Sequence, residues 1–279
     1  MTEEIQSDSG LSWPVMVNAG GQVSVNGSVS DSGMIVGVGV GVDGVDGVDG
    51  VDRAGEVGNA VAGEVGNADV RLKKWVRGDL LVNLWSFTGT SHWLTTRDPV
   101  THLFNKTRVE SLEHAKELAK DFAKRGFDVY YSVSEFTADA QTRKAQDVAC
   151  VRAFWLDLDV GAAKAEKGQG YATLEEAKAA VKAFRLKAGL PRPTHVVISG
   201  GGLHVYWAIS DSISPALWLL YAKMFKALTK ALGLLADSTR TADIASLMRV
   251  PGTFNFKDAA NPRAVELIFA SEELIELAA

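Results

Sequence analysis

Residues 41–52 read GVDGVDGVDGVD, and the heptapeptide AGEVGNA occurs twice, at 54–60 and 62–68. A glycine at every third position suits neither helical nor strand periodicity. Proline is missing from the repeat, so a collagen-type triple helix is excluded. Residues 1–70 contain 15 of the 27 glycines, and their single aromatic is Trp13. So few large side chains cannot offset the entropy of ordering the segment. The expectation is a disordered tail, with a partner-binding or groove-occupying role as its functional alternative.

The same segment separates the charge. Eleven acids (Glu3, Glu4, Asp8, Asp31, Asp43, Asp46, Asp49, Asp52, Glu56, Glu64, Asp69) face one base, Arg53. The whole chain of 279 residues carries 34 acids and 29 bases, net −5, so the part after residue 70 is +5. A pI of about 5.6 discourages a nucleic-acid partner for the whole chain. The basic remainder does not, and that is the part expected to fold.

One cysteine, Cys150, excludes an intramolecular disulfide and a four-cysteine zinc site within the chain. No apolar run approaches the ~18–20 residues of a membrane span. The acidic N-terminus lacks the pattern of a secretory signal. The expectation is a soluble protein of the cytoplasm.

After residue 70 the pattern mixes both periodicities. Residues 80–87 and 92–96 read as extended. Ser111 opens a helix that Gly126 ends, and VYYSVSEF (129–136) and CVRAFWLDLDV (150–160) read as strands, the second apolar enough to be central. A Gly/Lys loop leads to a helix over 173–188, with Thr173 and Glu176 at capping-box spacing. THVVIS (194–199) and LHVYWAI (203–209) flank three glycines as a hairpin. A helix over 214–232, a short helix near 243–249, a strand over 264–270 and a terminal helix complete the map. This mixture, with an antiparallel hairpin, indicates an α+β fold.

Three constellations carry chemistry. In FWLDLDVG the strand alternation puts Asp157 and Asp159 on one face, where two carboxylates repel and call for a cation, typically a divalent metal. In SGGGLHVYW, Ser199, Gly201 and Gly202 precede His204, so the backbone can approach a ligand and offer amides to a phosphate. In RVPGTFNFK, Arg249 and Lys257 bracket a Pro–Gly turn suited to polyphosphate, and Asn255 can bond a sugar hydroxyl or hold the loop. Each also has a bland reading: solvent-facing acids, a glycine hairpin with a half-buried histidine, a charged surface turn.

Taken in order, these motifs resemble the archaeo-eukaryotic primase superfamily, in particular the primase-polymerases of phages and mobile plasmids. That family has two acids separated by one residue, a Ser/Gly-X-His motif, and a third acid followed by an Arg and Lys pair. Here these are similar to Asp157-Leu-Asp159, Gly202-Leu-His204, and Asp237 with Arg249 and Lys257. Asp243 is the alternative third acid, while spacing to Arg249 favours Asp237. The resemblance spans roughly 127–270, and Arg143 and Asp147 fit its lead-in. Gly202 stands where relatives have serine, which leaves Ser199 as the nearby hydroxyl. The zinc module of many relatives is missing, as is any GxxxxGK[ST] ATPase motif.

The resemblance implies an RRM-like antiparallel sheet with flanking helices over 127–270, preceded by a small α/β unit over 71–126. It implies template-directed nucleotidyl transfer, as a DNA primase or polymerase in phage or plasmid replication, in the cytoplasm of a bacterial or phage-infected cell. Asp157, Asp159 and Asp237 would hold Mg²⁺ or Mn²⁺ in a two-metal site, and His204, Arg249 and Lys257 would contact the triphosphate. Single-stranded DNA template and nucleoside triphosphates would be the partners, with a replicative helicase in trans or in a longer relative. No membrane is involved. The alternatives are a non-catalytic nucleic-acid-binding initiation module and a metal-dependent phosphohydrolase with Asp157 as nucleophile. Trp85 and Trp93 read as core rather than base-stacking platforms. Cys150 reads as inert, and Lys116, Lys120 and Lys124 as a solvated helix face. His92, His102, His114 and His195 lack metal-ligand spacing.

Overall fold

The chain runs α1 (Leu80–Leu84), β1 (Thr90–Arg97), β2 (Phe104–Val109), α2 (Leu112–Lys124), β3 (Asp128–Ser132), β4 (Glu135–Thr137), β5 (Val148–Asp159), α3 (Ala162–Ala165), α4 (Leu174–Lys187), β6 (His195–Ile198) and β7 (Gly202–Ile213). It continues through α5 (Pro215–Ala231), α6 (Ser238–Thr241), β8 (Leu247–Arg249), β9 (Phe254–Asn255), β10 (Arg263–Ala264), β11 (Glu266–Ala270) and β12 (Glu276–Leu277). This computed structural model describes residues 80–277 and, ahead of them, the backbone of four two-residue strands at Leu11–Ser12, Met16–Val17, Ser28–Val29 and Ile35–Val36. The tail expected over 1–70, those four strands apart, lies outside the described residues, as do residues 71–79.

Nine strands form one antiparallel sheet in the order β8-β3-β1-β4-β5-β7-β6-β11, with β2 on the other edge of β1. Strands from both sides of residue 126 belong to it. The sheet forks at β1, whose one edge pairs with β3 through Leu94–Arg97 and with β4 through Thr90 and Ser91. The break between β3 and β4 is Val133–Ser134. It is pinned by the Val133 amide on the Ser246 carbonyl (3.3 Å) and by Ser134 Oγ on the Ile244 carbonyl (2.6 Å).

The centre of the sheet is the pair β5 and β7, whose apolar stretches Phe154–Leu156 and Leu203–Ile209 are buried throughout. Helix α5, capped by Ser214 with Pro215 in its first turn, lays Trp218 and Phe225 on them. Trp218 stacks on Trp155 at 4.8 Å and donates Nε1 to the Ala153 carbonyl (2.8 Å). Burying each such ring contributes about 1.5–3 kcal/mol, provided its N–H finds a partner. Helix α4 adds Phe184 against Phe225, and α2 packs near β1, β2 and β3. The helices over 112–124 and 174–187 have the caps read from sequence, Ser111 and Thr173, and Gly126 ends the first at φ +81°.

Three local expectations fail. Residues 80–84 are helical, because Leu80, Leu81 and Leu84 bury one stripe at i, i+1 and i+4. The short helix lies at Ser238–Thr241, capped by Asp237, while 247–249 is a strand paired to β3. Residues 275–277 are extended rather than helical. The Ile275 amide donates to the Ala208 carbonyl and the Ser210 amide to the Ile275 carbonyl, so backbone groups of β7 are satisfied by this strand.

Among the described residues, no helix is long and apolar enough to cross a membrane.

Candidate active site

The last turn of the pleat in β5 places Leu156 and Leu158 in the core, both 0 % exposed, and Asp157 and Asp159 on the other face. Strand β7 runs antiparallel beside it. In this register His204 is opposite Asp157 and Gly202 is opposite Asp159. His204 Nε2 stands 3.7 Å from Asp157 Oδ1. The three-glycine turn is what permits this approach. A Cβ on Gly202 would collide with the Leu158 carbonyl, and one on Gly200, at φ +71°, would meet Asn255 Cβ at 2.7 Å.

Asp237 joins them through the backbone, its amide donating to the Asp157 carbonyl over 2.7 Å. Asp243, the alternative third acid, is turned elsewhere. It accepts from the Ala245 amide (3.0 Å) and Ser246 Oγ (3.2 Å) and faces Arg143 electrostatically. The structure therefore brings Asp237 to the acid pair.

The electrostatics show the crowding. Burial, then Asp159 and Asp237, push the Asp157 carboxyl up to about 7. Burial, reinforced by the Arg249 and Arg240 guanidiniums, holds His204 down at about 3, so its ring is neutral. Burial opposes ionisation of Asp237, but its bonds from Thr239 and Arg240 outweigh it and leave the carboxyl below the usual range.

Each of the other two acids already has a partner. Asp159 Oδ2 is 2.7 Å from Lys164 Nζ on α3. Asp237 Oδ1 accepts from the Thr239 amide (2.8 Å), Thr239 Oγ1 (2.5 Å) and the Arg240 amide (3.4 Å) as the cap of α6. Among the described residues no three His, Cys, Asp or Glu side chains are gathered closely enough to hold an ion as they stand.

The cationic side is built from β8. Arg249 is 16 % exposed, and its Nη2 donates to Tyr130 Oη (2.9 Å) and Asp128 Oδ1 (3.3 Å). Its guanidinium lies over the Tyr130 ring at 4.9 Å. Asp128 is fully buried and also accepts from Arg97 Nη1 (3.4 Å) and the Phe256 amide (2.9 Å). Two guanidiniums on one carboxylate leave a positive excess.

Lys257 is exposed, and its amide donates to Asn255 Oδ1 (3.0 Å). Asn255 is buried and gives Nδ2 to the Ser199 carbonyl (3.3 Å), which is the loop-holding role. Ser199 is buried at the head of the glycine turn, with its amide on the Gly202 carbonyl. Gly201 presents its carbonyl to the Val160 amide. In the lead-in, Arg143 Nη1 donates to the Ala245 carbonyl (2.7 Å), and Thr142 Oγ1 donates to Asp147 (2.8 Å).

Sequence reasoning missed Lys164, Arg240, Asp128, Tyr130 and Arg97. Lys164 and Arg240 sit close in sequence to Asp159 and Asp237, which was the available signal. Asp128 and Tyr130 share a strand face by alternation. Nothing local ties them to Arg249. Trp85 and Trp93 are buried, as core residues. Cys150 is half-buried beside Glu135, with its thiol pushed up by burial and then by that carboxylate.

No family model and no curated protein matches the sequence. In structure the chain is similar to the AEP domain of the cyanophage S-2L primase-polymerase (PrimPol, PP-N190), at 18% identity and a TM-score of 0.48, over 70% of this chain and 88% of that one. It is similar to the primase RepB′ at 17% identity and a TM-score of 0.42, over 70% of this chain and 57% of that one. The catalytic domain of primase RepB′ in complex with initiator DNA is similar at 18% identity and a TM-score of 0.41, over 70% of this chain and 85% of that one.

Proposed function

We propose that this chain is a metal-dependent nucleotidyltransferase of the primase-polymerase kind, adding nucleotides to a 3′-hydroxyl against a single-stranded DNA template. One observation carries the reading. The 2.7 Å bond from the Asp237 amide to the Asp157 carbonyl sets a third acid beside the pair on β5, opposite a histidine on β7. The motif order of the sequence supports the same assignment.

The residues suit a divalent cation. They offer hard oxygen donors, and Asp157, raised by burial and then by the Asp159 and Asp237 carboxylates, is a group whose ionised form a cation would favour. Asp157, Asp159 and Asp237 would hold Mg²⁺ or Mn²⁺ once Asp159 leaves Lys164 and Asp237 turns from Thr239. When bound, the metal supplies charge stabilisation at the attacking and leaving oxygens of an in-line displacement. The chain's own groups do the rest. His204 Nε2 would reach a phosphate oxygen beside Asp157, and Arg249 would neutralise the triphosphate from a fixed position. Lys257, being exposed, is free to add a point charge to the departing pyrophosphate. The basic surface would grip the template backbone.

The test is incubation of the full chain with primed and unprimed single-stranded template, labelled nucleotides and Mg²⁺ or Mn²⁺, beside an Asp157→Ala/Asp159→Ala control. Metal-dependent extension with pyrophosphate release, absent in the control, is expected. DNA binding with no synthesis under any condition would overturn the reading in favour of a binding module. Release of inorganic phosphate with an aspartyl-phosphate intermediate would favour the phosphohydrolase.

A further inference from the structure

Two buried tyrosines meet although their strands are not neighbours. Tyr131 on β3 and Tyr206 on β7 are both fully buried, and β1, β4 and β5 lie between their strands in the sheet order. The curl of the sheet closes that gap. Tyr131 Oη donates to Tyr206 Oη over 2.8 Å. Tyr206 Oη lies 3.4 Å from His204 Nδ1, and the opposite nitrogen of the ring, Nε2, lies 3.7 Å from Asp157 Oδ1.

Each phenol has one hydrogen to donate, and a neutral imidazole has one nitrogen that donates and one that accepts. Tyr131 Oη has Tyr206 Oη as its acceptor. Tyr206 must then give its own hydrogen onward, and His204 Nδ1 is there to receive it. Run in the other direction, Nδ1–H would donate to Tyr206 and Tyr206 to Tyr131. The Tyr131 hydrogen would then be left in the core with no acceptor among the described residues, which is the costly arrangement. The forward direction leaves the ring hydrogen on Nε2, facing the acids. The reverse would aim an Nε2 lone pair at any phosphate oxygen bound beside Asp157, a repulsive contact.

We propose that Tyr206, itself oriented by Tyr131, is the positioning residue that fixes His204 as its Nε2–H tautomer and so aims a hydrogen-bond donor into the site. That the donor meets a nucleotide phosphate rests on the function proposed above. The tautomer itself does not.

The experiment is ¹⁵N NMR of the full chain labelled at histidine, without nucleotide or metal, with His204→Asn identifying the His204 signals. The expected wild-type pattern has an unprotonated, hydrogen-bonded Nδ1 and a protonated Nε2. In Tyr206→Phe that pattern should collapse towards a mixture of tautomers, and the KM for nucleotide should rise about tenfold, the loss of one hydrogen bond to a charged group. Tyr131→Phe should move the ring signals in the same direction by less. A wild-type ring protonated on Nδ1 overturns the proposal, even if the variants do not fold. So does a folded Tyr206→Phe protein with unchanged ring signals. Ring signals that shift in Tyr206→Phe, in a protein that extends no primer, support the positioning role and defeat only the nucleotidyl-transfer reading.

Discussion

The amide of Asp237 donates to the carbonyl of Asp157 over 2.7 Å, so the third acid is held by backbone while its side chain caps α6. The position of Asp237 is therefore insensitive to its own side chain, and the two roles can be separated. Asp237→Asn keeps a capping residue and removes the charge. We expect primer extension to fall about 10²–10³-fold with the melting temperature nearly unchanged. Asp243→Asn, which acts on the Ala245–Ser246 turn and on Arg143, should leave catalysis within a few-fold. Parallel extension assays and thermal melts on the two variants check this.

Lys164 Nζ holds Asp159 Oδ2 over 2.7 Å, in competition with the cation proposed for that carboxylate. The pair is 40 % and 44 % exposed, so it is worth only about 0.2–1 kcal/mol. Lys164→Ala should therefore strengthen Mn²⁺ binding by about two- to fivefold, read by titration calorimetry. Weaker binding would show that Lys164 assists the cation rather than competes with it.

Glu135 gives stability its acid limit. Burial alone would raise its pKa, but bonds from His92, Ser86 and Thr90 outweigh that and bring it down to about 2. A depressed carboxyl stabilises the fold above its unfolded pKa of about 4.3 and loses that contribution as pH falls through 2. The span is worth about 3 kcal/mol at neutral pH. Glu135→Gln should lower stability by about this amount at pH 7, and the difference should vanish near pH 2. Urea unfolding at several pH values measures it.

Gly202 lies where β5 and β7 touch. Gly202→Ala puts a methyl against the Leu158 carbonyl and must push the strands apart beneath Asp159. A loss of about 1–3 kcal/mol and of extension activity is expected. Gly126→Ala, with open space around its Cβ, should carry only the backbone strain of φ > 0. Melting curves of both separate steric from conformational cost.

The central strands, the glycine hairpin and the capped helices were legible because their signals are local. Alternation located Asp157 and Asp159, and the hairpin spacing put His204 one strand away. What sequence could not reveal depends on tertiary register. The order β8-β3-β1 sets Arg249 and Arg97 on the two strands that flank Asp128, and no periodicity links those three positions. Residues 80–84 were misread because apolar runs this short suit either period, and tertiary burial of Leu80, Leu81 and Leu84 decides it. The C-terminal segment reads as a helix in sequence, but the backbone groups it satisfies belong to β7.

The fork in the sheet gives the site the mechanics of a caliper. One arm, β3 with β8, carries Arg249. The other, β5 with β7, carries Asp157 and His204, and the arms join through β1. With Arg249 held to Tyr130 and Asp128 on its own arm, the gap between cation and acids follows the way the two arms join across Val133–Ser134. Ser134 and Val133 fix that angle from one side, through the loop at 244–246, and the Tyr131–Tyr206 hydroxyl bond ties the arms from within. A substitution at the joint would change the jaw opening for every ligand at once, while leaving each functional side chain in place on its own arm.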